Sequence, residues 1–128
     1  MDYQKAFIGV NGLGYILLGL WCAVAPEFTS ALIGFTLNGP KGLAEFVAVY
    51  GGLEIGLGTF YLASLRSDLR STAILFSLNL YSGIVLFRSF AMLFYRSPTT
   101  DIGWILYGLE VSFLIIAVML YRSAHRRS

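Results

Sequence analysis

Four long apolar runs separated by polar breaks dominate the pattern of this chain. They extend from about Ala6 to Ala25, Phe46 to Leu65, Thr72 to Tyr95 and Ile102 to Tyr121. Each is close to the roughly 20 residues a helix needs to cross the hydrocarbon of a bilayer. No run alternates with a period of two, and all are far too long for barrel strands, so helices are the predicted elements. Arg66-Ser67-Asp68-Leu69-Arg70 and Arg96-Ser97-Pro98-Thr99-Thr100-Asp101 read as tight polar turns, with Asp101 as the N-cap of the last helix. Turns this short make neighbouring helices antiparallel. The link from Pro26 to Leu43 is longer and less polar, with Phe28, Leu32 and Phe35 at helical spacing. It predicts a short helix in the membrane interface, ended by Asn38-Gly39-Pro40. The expected fold is all-α: a single-domain antiparallel four-helix bundle integral to the membrane over residues 1–128, with one interfacial helix between spans one and two.

Composition supports lipid as the solvent. The chain is 57% hydrophobic and 12% charged, against about 25% charged residues in a water-soluble domain. A chain this small exposes much of its surface, and here that surface is not mostly charged. The single cysteine, Cys22, excludes an internal disulfide and a cysteine-based metal cluster and reads as a small buried hydrophobe. The net charge of +2 is modest. Arg126 and Arg127 are too few to point to nucleic acid and suit anionic headgroups.

Charge also predicts direction. With four crossings both termini share one side, which collects Lys5, Arg66, Arg70, Arg122, Arg126 and Arg127; the other side collects Lys41 and Arg96. The positive-inside rule puts the first group, and both termini, in the cytoplasm. Trp21, Tyr95 and Trp104 are expected in the outer aromatic belt, and Tyr3, Tyr61 and Tyr121 in the inner one. Lys5 followed by an apolar stretch ending in Ala23-Val24-Ala25 has the outline of a secretory signal. The run is long for that role and Pro26 would follow the cut directly, so the segment is read as the first span.

Helical periodicity then sorts the polar positions into one stripe per span. The stripes are Asn11, Tyr15 and Cys22; Tyr50, Gly51, Glu54, Gly58 and Tyr61; Ser77, Tyr81, Arg88 and Tyr95; and Gly103, Tyr107, Glu110 and Ala117. Polar faces turn inward in a bundle and apolar faces meet lipid. Glu54, Arg88 and Glu110 are the ionisable groups deep inside apolar runs, where each needs a partner or a wet pocket. At 1.5 Å per residue, Glu54 lies about 13 Å past Glu45, Glu110 about 12 Å past Ile102 and Arg88 about 10 Å before Tyr95. These depths let the three groups meet. Arginine stays protonated and holds one carboxylate ionised. The other is left desolvated, able to take up a proton, bind a cation or donate a hydrogen bond. Tyr50 and Tyr107, one turn away, are positioned to cap Glu54 and Glu110.

Blander readings stand beside these. A Glu–Arg–Glu network can simply hold helices in register. Gly52 and Gly56 form a G-x-x-x-G pair, read as close packing of helix two inside the bundle in preference to dimerisation. Glu45 reads as an acid capping the start of span two, and Asn11 and Asn79 as interhelical hydrogen-bond donors. No nucleophile-and-base pair, metal-ligand cluster or glycine-rich phosphate loop is present, and no cofactor is expected.

The stretch Glu45-Phe46-Val47-Ala48-Val49-Tyr50-Gly51-Gly52-Leu53-Glu54-Ile55-Gly56-Leu57-Gly58 resembles the hallmark of a small bacterial membrane family catalogued as domain of unknown function 4345. That pattern is roughly an acid, an arginine soon after, Tyr-Gly-Gly and a glycine-spaced helix; Arg88 in span three also fits, while Val47 stands in place of the first arginine. The resemblance implies an integral four-helix protein and brings no substrate. Four-helix drug exporters are a looser comparison, because their acid lies in the first span and this first span has none.

Three functions follow as expectations. The leading one is a binding or transport-type module in which Glu54, Arg88 and Glu110, with Tyr50 and Tyr107, hold a small lipophilic or cationic ligand or a proton. Transport would call for a homo-oligomer. The second is a membrane-embedded enzyme on a lipid-like substrate, such as an isomerase, with Glu54 and Glu110 as acid and base. The third is a structural or partner-binding subunit.

Overall fold

The computed structural model describes residues 2–66, 68–95 and 100–125. Arg96, Arg126 and Arg127 of the orientation argument, with Ser67 and 97–99 of the two turns, lie outside them. The described residues are mostly helical, with turns and a short irregular stretch at residues 35–38, and include no strand. Four helices are long and apolar enough to cross a membrane: Tyr3–Val24, Gly39–Ala63, Arg70–Tyr95 and Asp101–Ala124. Together they suggest a multi-pass membrane protein. The chain divides into two compact units, one ending at Leu69 and one beginning at Arg70.

In the first unit, helix α1 (Tyr3–Val24) is capped by Asp2, whose Oδ1 accepts from the Lys5 N–H at 3.2 Å. Pro26, at the first position of α2 (Pro26–Leu32), has no N–H to lose there. Helix α2 stops in a Schellman turn: Phe35 N–H donates to Ser30 C=O at 2.8 Å and Gly34 N–H to Ala31 C=O at 3.1 Å, with Gly34 at φ 86. The short helix was legible in sequence, but its end was misplaced. Asn38-Gly39-Pro40 opens the next helix, with Gly39 at φ 66 and Pro40 in the first turn, where a proline costs no hydrogen bond.

Span two is composite: α3 (Gly39–Phe46), a π-helical turn at Val47–Leu53, and α4 (Glu54–Ala63). Because α3 begins at Gly39, Glu45 sits near its end, exposed, and does not cap a helix start. Helix α1 runs antiparallel to this span through glycines. A Cβ on Gly58 would lie 2.7 Å from Gly12 O and 2.5 Å from Ile16 Cγ1; one on Gly19 would lie 2.7 Å from Gly51 O. Gly12 with Gly19, and Gly51 with Gly58, are each seven residues apart, two turns along one face. Tyr15 stacks on the fully buried Tyr61 with centroids 5.8 Å apart, so Tyr61 is a core residue and not the interfacial anchor expected of it. Gly52 and Gly56 also depart from expectation. Both are exposed, and a Cβ on either would meet nothing within 4 Å.

The second unit pairs α5 (Arg70–Tyr95) with α6 (Asp101–His125), also antiparallel. Here side chains make the contact: Tyr81 stacks on Phe113 at 5.4 Å, and Ser77 and Ala117 are fully buried. The Ser77 hydroxyl returns to Ala73 C=O at 2.8 Å, which lets a polar side chain face an apolar neighbour at no hydrogen-bonding cost. Thr100, one residue before the expected cap, begins α6: its Oγ1 accepts from Gly103 N–H at 3.1 Å, and Asp101 occupies the first turn. Asn79 is exposed and donates to Leu75 C=O within its own helix, so it is not interhelical glue. Asn11 is buried and donates to Phe7 C=O. Leucine and phenylalanine side chains such as Leu17, Leu86, Phe87 and Leu93 face outward. An outward apolar surface of that extent suits hydrocarbon as solvent.

Candidate functional site

The expected polar group is shared between the units: Arg88 and Glu110 belong to the second, Glu54 to the first. Arg88 and Glu110 meet as a two-pronged pair. Arg88 Nε donates to Glu110 Oε2 at 2.7 Å and Nη2 to Oε1 at 2.6 Å. Both carboxylate oxygens are thereby occupied by one guanidinium, the geometry in which arginine binds carboxylate best. The seam continues one turn on, where Tyr107 OH and Ser89 Oγ lie 2.9 Å apart and Ser89 Oγ donates to Val85 C=O at 2.6 Å. Tyr107 thus pairs with Ser89, not with Glu110 as expected.

Glu54 has different surroundings. It begins α4 directly after the π-helical turn, on the face turned to α1. A Cβ at Gly19 would come 3.0 Å from the Glu54 Cβ, so only glycine leaves room there for the stem of the acid. Its Oε2 is buried and has no hydrogen-bond partner among the described residues. Cys22 on α1 and Thr29 on α2 are also buried, and the Thr29 hydroxyl donates to Ala25 C=O at 2.9 Å. Tyr50, expected to cap Glu54, has its ring stacked on Phe46 at 4.7 Å and tilted against Phe35 at 5.6 Å. It gives no hydrogen bond to Oε2.

No family model, curated protein or solved structure matches this chain. The reading of the site therefore rests on its own chemistry. Among the described residues no group of three or more His, Cys, Asp or Glu is disposed to hold a metal ion. What remains is one acid whose charge is answered and one whose buried oxygen is not. The sequence named all three ionisable groups. It missed Ser89, Thr29 and the π-helical turn. Gly12 and Gly19, seven residues apart with Gly51 and Gly58 spaced alike, were the sequence signal for which glycines make the contact.

Proposed function

We propose that this protein is an integral membrane binding or transport-type module whose working group is Glu54, exchanging a proton for a small lipophilic cation. The supporting observation is the buried Oε2 without a partner. A buried polar atom left unsatisfied costs about 1–3 kcal/mol, more when charged. A protein retains such a cost where the group has a task. The π-helical turn immediately before Glu54 supports the same reading, because π turns inside α-helices are frequent at functional sites. Arg88 and Glu110 act here as a clamp joining α5 to α6. The clamp also removes the second carboxylate that an acid–base enzyme would use. Lys5, Arg66, Arg70 and Arg122 argue for cytoplasmic termini, and transport through so few helices calls for a homo-oligomer.

The test is equilibrium binding of tetraphenylphosphonium to the protein in nanodiscs at several pH values. A cation needs the carboxylate form, so affinity is expected to rise with pH. Glu54→Gln keeps the shape and removes the charge. It should weaken binding roughly tenfold or more, the scale of one charge-assisted contact, and abolish the pH dependence. Equal, pH-dependent binding by the folded variant would reject the proposal.

A further inference from the structure

The link between spans one and two carries chemistry that Glu54 does not use. A groove of about 580 Å³ lies between α2 and α3, lined by Glu27, Ser30, Phe35, Thr36, Leu37 and Leu43 among others. A second groove of about 290 Å³ adjoins it, sharing Glu27 and Leu43 and reaching Phe28. Among the residues that line the two, Glu27 alone is charged, and no base faces it from either wall.

Depth follows from two observations. Residues 35–38 are non-helical, and Phe35, Thr36 and Asn38 are exposed. Backbone outside a helix is not tolerated against hydrocarbon, so this wall belongs where water reaches. Trp21, half exposed near the end of α1, lies 6.2 Å from the Phe28 ring, as an aromatic anchor at the headgroup layer would. The groove thus has one acid at headgroup level, and Phe35, Leu37 and Leu43 beside it.

We infer that this groove seats the headgroup of an ethanolamine phospholipid. The lone carboxylate selects a cationic group. A carboxylate acceptor bonds best to a cation that still carries N–H donors, so a primary ammonium is preferred to a quaternary one. A quaternary ammonium would instead ask for a cage of aromatic faces. Phe35 does not offer one, because its ring is packed against Phe46 at 6.3 Å and Tyr50 at 5.6 Å. The apolar wall takes the glycerol and first acyl carbons.

The experiment is native mass spectrometry of the full chain released from nanodiscs of equal phosphatidylethanolamine, phosphatidylcholine and phosphatidylglycerol. The wild type should retain the ethanolamine lipid over both others, by roughly tenfold if one charge-assisted hydrogen bond decides it. Retention should fall stepwise with mono-, di- and trimethylated headgroups in the unmodified protein, a series that needs no variant. Glu27→Gln, at an exposed position, should erase the preference with helicity unchanged. Equal retention of the three lipids, a preference for phosphatidylglycerol, or a preference that survives Glu27→Gln would each overturn the inference.

Discussion

Glu54 and Glu110 are the same side chain, each within a long apolar helix, and their surroundings differ. Glu110 has both oxygens held by Arg88. Glu54 has a buried oxygen that none of the described residues holds. The helices around them differ in the same sense. In the second unit, side chains reach across: an ion pair, a tyrosine–serine hydrogen bond and a Tyr81–Phe113 stack. In the first unit the backbones themselves come close, through Gly12, Gly19, Gly51 and Gly58. An answered charge can serve as a fastener. An unanswered one is expensive as a fastener, and the glycine contacts already do that work beside it.

The largest effect is expected at the fastener. Arg88→Ala takes away both hydrogen bonds to the part-buried Glu110 and should cost about 1.5–3 kcal/mol in an unfolding assay in bicelles. Replacing both partners together, Arg88→Met with Glu110→Leu, should recover most of that loss. If the double variant is as unstable as the single, the pair does more than hold α5 to α6. Next comes the glycine seam. Gly58→Ala would press a methyl group against Gly12 O and Ile16 N, both backbone atoms. It should destabilise by about 1–3 kcal/mol.

Smaller effects sharpen the contrast. Gly52→Ala and Gly56→Ala add a Cβ into open space. Thermal melts should show no loss, and a gain of about 0.5–1 kcal/mol each from helix propensity is expected. A loss on the scale of Gly58→Ala would reveal a contact of this face with another copy of the chain. Glu54→Gln should cause no loss of stability in the same assay, since it keeps the shape and takes away a charge whose buried oxygen has no partner among the described residues, while removing cation binding. Parallel loss of stability and binding would make Glu54 a structural group like Glu110.

Much of this was legible in the sequence because length and polarity decide it. Apolar runs near the crossing length match the four long helices, and of the stripe Tyr50, Gly51, Glu54, Gly58 and Tyr61 the last four face α1, while Tyr50 packs on Phe35 and Phe46. What was not legible depends on geometry between elements. Gly52 and Gly56 match a packing motif, yet Gly51 and Gly58 make the contact, because Gly12 and Gly19 oppose them. The π-helical turn, Val-Ala-Val-Tyr-Gly-Gly-Leu, has no residue code, since the same residue types are also found in α-helices. Asn38-Gly39-Pro40 suits the end of one helix and the start of the next, and only the Schellman turn at Gly34 decides between them. Thr100 and Asp101 are both good caps, one residue apart. The ionisable groups were found because a bilayer makes them conspicuous. Their division into a pair and a single acid needed coordinates.

The most direct test is carbon-13 NMR of glutamate side-chain carboxyls in nanodiscs, assigned with Glu54→Gln and with the Arg88→Met, Glu110→Leu double variant. The account expects the Glu54 resonance to move as tetraphenylphosphonium is added, and that response to depend on pH, while added cation leaves the Glu110 resonance, held by Arg88, where it was. A moving Glu110 signal beside a stationary Glu54 signal would contradict it.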